Sequence, residues 1–200
     1  IVAVSAGLVG AVLFSLIGYI LVRTKLPGRT VLDSICWLPS SIPGVLAGLG
    51  LLWMFLGTPV FRPFYGTLFL LVIAQMLGGI TLSTQILKAN FVQLGKELEE
   101  SSRMSGAGFW RTYLRIVFPL MAQTMVMVAV IKFMFAAQHN SAIILLATSE
   151  TRTLSLLALD QVAAGYREVA SITIIMVTSL TLGLAVVARS FGLKIGIRAH

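Results

Sequence analysis

Two histidines, one cysteine and seven carboxylates are what this 200-residue chain offers for acid–base, nucleophilic or metal chemistry, and their spacing supports none of the three. Cys36 stands alone in an apolar run, without a partner for an intramolecular disulfide. His139 and His200 have no spaced ligand partners, which predicts no metal centre. His139 and Asp160 lack the glycine-framed serine of a hydrolytic triad, and no glycine-rich phosphate loop with a lysine follows a strand. The chain is therefore read as a non-enzyme without catalytic residues or a cofactor of its own. What remains is a set of polar residues among long apolar runs. Glu100-Ser101-Ser102-Arg103-Met104-Ser105-Gly106, continuing through Ile116 to Pro119, is a polar island between long apolar runs. Glu100 offers a charge-assisted bond to a basic group on another protein. Ser101 and Ser102 are small enough for tight helix packing, and Gly106 allows close backbone approach and an abrupt change of direction. Lys132 is the only basic residue deep in an apolar run; it reads either as a pathway charge or as a lysine reaching along its stem to an interface. Gln138-His139-Asn140 stands at the end of the same run, where a translocation path could open or the chain simply leave the bilayer.

The elements that must position these residues follow from composition and run length. Hydrophobic residues make up 58% of the chain and charged residues 11%. A soluble domain carries about 25% charged residues, so this is an integral membrane protein with lipid as its surroundings. The net charge of +8 is divided among separate loops rather than gathered in one patch, which argues against a nucleic-acid partner. Apolar runs over about 1–22, 35–56, 65–87, 116–137 and 168–190 are each long enough to cross a hydrocarbon core of about 30 Å. They predict an all-α, polytopic bundle of about five transmembrane helices. The second run contains Pro39 and Pro43, which break the backbone ladder, and Pro119 is placed in the first turn of the fourth. Between the third and fourth, Asn90 is expected to cap a helix over 91–104 that Gly106 ends, with a second helical piece starting near Ala107. In this helix Leu94, Leu98 and the Ser101/Ser102 pair share a face, with Glu97 and Glu100 beside it. Leu154, Leu157, Ala158 and Gln161 predict a short amphipathic helix that does not span.

Five spans place the two chain ends on opposite sides. The basic clusters at 23–29, 88–115 and 189–198 share one side, against Arg62, Arg152 and Arg167 on the other. The positive-inside rule makes the first side cytoplasmic. The 88–118 loop and the C-terminus are then expected inside, and the segment 138–167 outside. Ile1 opens within an apolar run, so the chain reads as a piece of a longer one.

Glu100, Gly106, Ile116 and Pro119 match in identity and spacing the cytoplasmic loop of permease subunits of binding-protein-dependent ABC importers, which runs Glu-Ala-Ala, three residues, Gly, nine residues, Ile-x-Leu-Pro. Ser101 and Ser102 replace the two alanines, and Phe118 the leucine. The resemblance covers nearly the whole chain, 1–200, and implies one permease domain of the type I importer fold. It implies that the loop at about 88–118 docks on a cytoplasmic ABC ATPase subunit, which would hold ATP and magnesium. It also implies a second permease half, in the same chain or a second copy, and an extracytoplasmic solute-binding protein. Leu38-Pro39, Pro43-Gly44, Tyr65-Gly66-Thr67, the run Thr151 to Ser155, and Gly165-Tyr166 resemble one branch, which includes importers of ferric iron, thiamine, polyamines and aminoethylphosphonate. The chain resembles the second half of the ferric permeases, with one departure. Those permeases tend to carry Arg-Glu where Gln138 and His139 stand here. Ferric iron is the first expectation for the cargo. A stand-alone secondary transporter or channel is the alternative class, and would be expected to carry pathway charges in several spans.

Overall fold

The computed structural model describes residues 1–138 and 141–190. His139, Asn140, Lys194, Arg198 and His200, on which part of the sequence reading rests, lie outside the described residues. Every regular element among those described is helical. Helix α1 (Val2–Arg23) is followed by α2 (Arg29–Trp37), a 3-10 turn at Leu38–Ser41, and α3 (Gly44–Gly57). Helix α4 (Leu68–Gln93) leads to the short α5 (Glu97–Met104). The chain then re-enters through α6 (Phe109–Thr112), a π turn at Tyr113–Val117, and α7 (Phe118–Gln138). A short helix, α8 (Leu154–Ala163), precedes the last, α9 (Arg167–Ser190).

Among the described residues, four stretches are long and apolar enough to cross a membrane: α1, α4, the 30-residue run Phe109–Gln138, and most of α9. With no water to serve a lipid-facing backbone, each satisfies its own peptide groups as a helix. The second predicted span is not a straight helix. The segments Arg29–Ser41 and Gly44–Gly57 meet at 112°, so the five spans of the sequence reading are four unbroken helices and one bent pair. Pro39 and Pro43 are the physical cause. Pro39 sits in the 3-10 turn, Ile42 is extended, and Pro43 caps α3 from an extended backbone with no N–H to continue the ladder.

Two further expectations are corrected. The helix predicted over 91–104 is divided: α4 runs through Asn90 to Gln93, Leu94 is extended, and α5 starts at Glu97. Pro119 does not open a span, because helix runs unbroken from Phe109. It follows directly on the π turn, where the Phe118 N–H already reaches back to the Tyr113 carbonyl. That shift of register accommodates a residue with no donor.

Helix α1 is the axis of the bundle and packs along both α4 and α7. At its C-terminal end a core forms from Phe14, Tyr19, Leu87, Phe91, Tyr113 and Met121. At the other end Val2, Leu51, Phe55, Leu70, Leu71 and Ile143 form a second. Helix α9 stands apart. Only 11% of its apolar window is buried within the chain, against 50% for α1, so its surface is left for lipid or another helix.

Candidate functional site

Helix α5 is built to present one face and anchor the other. Glu97, Glu99 and Glu100 occupy its first turn, where the helix dipole favours negative charge, and Arg103 occupies the last. Its end is a Schellman closure: the Ala107 N–H bonds the Ser102 carbonyl (3.1 Å) and the Gly106 N–H the Arg103 carbonyl (2.9 Å). Gly106 takes the left-handed conformation this closure requires, with φ +78°. The outward face carries Leu98, Glu100, Ser101 and Met104, the last 89% exposed. Gly106 is exposed beside them. Of the residues singled out in this loop, Glu100, Ser101 and Gly106 therefore share one accessible surface. Ser102 turns inward, and its hydroxyl shares a 3.0 Å hydrogen bond with Thr112. Ile116 is half-buried in the π turn, and Pro119 is exposed just after it.

The inward face holds residues that sequence reading missed. Glu99 is buried, with Oε2 accepting from the Tyr19 hydroxyl (2.9 Å) and Oε1 3.1 Å from Arg23 Nε. Arg103 Nη2 donates to the same tyrosine oxygen at 3.2 Å. Around Tyr19 the rings of Phe91, Phe109 and Tyr113 stand edge-on, with centroids 5.5 to 5.8 Å away. The one local hint was polar residues, Ser15 and Tyr19, inside an apolar run. Both are buried, and the Tyr113 hydroxyl donates to Ser15 Oγ at 3.0 Å.

The remaining predicted residues lie elsewhere. Lys132 is 3% exposed, and its ammonium donates to the Gln75 carbonyl of α4 at 2.6 Å. It passes over Gly79, whose missing side chain leaves its room. Gln75 Nε2 reaches back to the Ala136 carbonyl at 3.2 Å. In this conformation Lys132 braces α4 against α7. Lys132→Met is accordingly expected to keep folded yield within about twofold, since the volume is kept and a buried charge is removed. A larger loss of folded protein would mean that the bond to the Gln75 carbonyl outweighs the cost of burying the charge.

Gln138 lines a cavity of about 610 Å³ with Ser141, Ser155, Thr178 and apolar side chains of α3, α8 and α9. Its amide also reaches Thr181 Oγ1 at 3.4 Å. Among the described residues this lining carries hydroxyls and an amide but no charge. No group of three or more metal-ligating side chains exists among the described residues.

Comparison with known proteins places these features in context. The family described as "Binding-protein-dependent transport system inner membrane component" matches residues 4–195. The chain is similar to the ferric transport system permease protein FbpB of Actinobacillus pleuropneumoniae, 29% identical over 171 residues, covering 84% of this chain and 25% of that protein. It thus spans about a quarter of that relative's length. The molybdenum transport system permease protein ModB of Escherichia coli K12 is 28% identical over 196 residues, covering 88% of this chain and 85% of its own. In fold the chain is similar to a subunit of a bacterial alginate ABC transporter solved with an alginate pentasaccharide-bound periplasmic protein. The TM-score is 0.74 at 19% identity, covering 98% of this chain and 77% of that one.

Proposed function

The chain belongs to the binding-protein-dependent transport system inner membrane components, and from that premise we propose that it forms half of the translocation pathway of an ATP-driven importer. The observation that carries this reading is α5. It is a short polar helix closed by a left-handed glycine, with one face exposed and the other tied to the first span. In this reading the exposed face, with Glu100, Ser101 and Gly106, docks in a groove of a cytoplasmic ABC ATPase subunit. That separate subunit holds ATP and magnesium. Ile116 and Pro119 shape the return of the chain into the membrane. The charge distribution puts the 88–118 loop and the C-terminus in the cytoplasm and 138–167 outside, where a solute-binding protein delivers cargo near Gln138. A second permease half, from the same chain or another copy, completes the pathway and covers surface such as that of α9.

For the cargo we propose ferric iron, supported by the likeness to the ferric permease and to the second half of such chains. The molybdenum permease among the relatives makes an oxyanion the competing cargo. Uptake of labelled ferric iron by cells carrying the full-length protein, with and without excess molybdate, separates the two. No ferric uptake, with labelled molybdate taken up by the same cells instead, would overturn the iron assignment.

Docking is tested by crosslinking. In the full-length protein with Cys36 replaced, Met104→Cys is expected to crosslink to the co-expressed ATPase subunit in a nucleotide-dependent way. No crosslink from folded protein in membranes would move the reading to a stand-alone transporter.

A further inference from the structure

The geometry around Glu99 points to a second role for the inner face of α5: we propose that Glu99, Arg23 and Tyr19 form a latch that transmits motion of the docking helix into α1. This rests on the importer reading above and adds to it the route by which movement leaves the loop.

Arg23 ends α1 and gathers three points into one guanidinium. Its Nη2 donates to the Leu94 carbonyl (2.6 Å) and the Gly95 carbonyl (3.3 Å), while Nε lies 3.1 Å from Glu99 Oε1 as an ion pair without a directed hydrogen bond. Leu94 and Gly95 are the break between α4 and α5. The covalent approach to α5 from α4 is therefore clamped by the same side chain that pairs with α5 itself. The Arg23 and Glu99 side chains are 4% and 11% exposed. Separating them would leave a charge desolvated and unpaired, so the two helices are expected to move as one body. Tyr19, one turn back along α1, holds the second carboxylate oxygen of Glu99 and accepts from Arg103, fixing the orientation of α5 at a second level.

The exit on the other side is slacker. From α5 to α6 the chain passes through Gly106 and Gly108, neither with a heavy atom within 4 Å of where a Cβ would stand. The side-chain tie across that turn is the Ser102–Thr112 hydroxyl bond. A glycine pair bends readily, whereas a buried ion pair with two carbonyls and a phenol bound to it does not. Displacement of α5 is thus delivered to α1, and from there to α4 and α7, which both pack along it. Glu99 and Arg23 are positioning residues in this scheme. They face away from the docking surface.

The test uses the full-length transporter with its ATPase and solute-binding protein in proteoliposomes, measuring cargo moved per ATP hydrolysed. Glu99→Gln is expected to keep the Met104→Cys crosslink and hydrolysis within about twofold, while transport per ATP falls about fivefold or more. Tyr19→Phe, which removes one oxygen and keeps the ring, should lower the ratio by about twofold. It serves as the decisive variant where Glu99→Gln fails to accumulate. Hydrolysis and transport falling together at a constant ratio in Glu99→Gln or Tyr19→Phe would overturn the latch. Loss of the crosslink in the unmodified background would instead overturn the docking reading.

Discussion

Gly106→Asp is expected to lower uptake by about tenfold or more, the equivalent of losing about 1.4 kcal/mol of docking, while the amount of folded chain stays nearly constant. The local geometry separates these two effects. Gly106 has φ +78°, and the Schellman closure of α5 depends on that conformation. Nothing in the chain lies within 4 Å of where its Cβ would be, so a side chain there meets no internal obstacle. The internal cost is conformational, about 1–2 kcal/mol for most residues and less for aspartate, which visits the left-handed region more readily. What aspartate adds is bulk and charge at a surface proposed to lie against another protein. Gly165 provides the control. It has φ +86° at the end of α8, closed by the same pair of bonds, Tyr166 N–H to the Gln161 carbonyl and Gly165 N–H to the Val162 carbonyl. Gly165→Asp should show the same small loss of stability without loss of ATPase docking. Unchanged uptake in Gly106→Asp, measured beside Gly165→Asp at equal folded yield, would remove α5 from the docking role.

Gly48→Leu is expected to destabilise the protein by about 1–3 kcal/mol through overpacking, with a matching fall in the unfolding temperature. A Cβ on Gly48 would stand 2.6 Å from the Ala142 carbonyl oxygen and 3.0 Å from Ala142 Cα. These are backbone atoms, which cannot swing aside as a side-chain tip can. One turn earlier, a Cβ on Gly44 would stand 2.8 Å from Ser141 Cβ. The two glycines share a face of α3 and seat it on the segment leading into the 3-10 turn Ile143–Leu145. Ser141, Ile144 and Val45 line the cavity that also holds Gln138, so lifting α3 should also change the shape of that cavity. Gly50→Leu is the control, because nothing lies within 4 Å of its Cβ position. Thermal unfolding in detergent should separate the two variants. Equal unfolding temperatures would mean that α3 is not held by this contact.

The bent pair shows where local reading stops. Pro39 and Pro43 announced a broken ladder, and the break is where they stand. The angle of 112° was not announced. Proline removes a donor and fixes φ, but the direction of the next helix is set by what it packs on. Here that is the Ser141–Ala142 backbone, nearly a hundred residues further along the chain. The predicted 91–104 helix failed for a related reason. Lys96 to Met104 suits a helix locally, yet Leu94 and Gly95 leave helical geometry with their carbonyls taken by Arg23 of α1.

By itself the sequence determined that this is a polytopic helical membrane protein, roughly where α1, α4 and α9 run, and which glycine ends α5. Those properties are set by run length and local backbone preference, because in a bilayer each span must satisfy its own hydrogen bonds. Only the tertiary structure decided which glutamate points inward. Glu97, Glu99 and Glu100 are alike in sequence, but only Glu99 meets Tyr19 and Arg23, 80 and 76 positions away. The partner of Lys132 was hidden in the same way, being a backbone carbonyl of Gln75 that no residue type advertises. A buried charge is stabilised by whatever donor or acceptor the packing brings to it, and that is a property of the assembled bundle rather than of the neighbouring sequence.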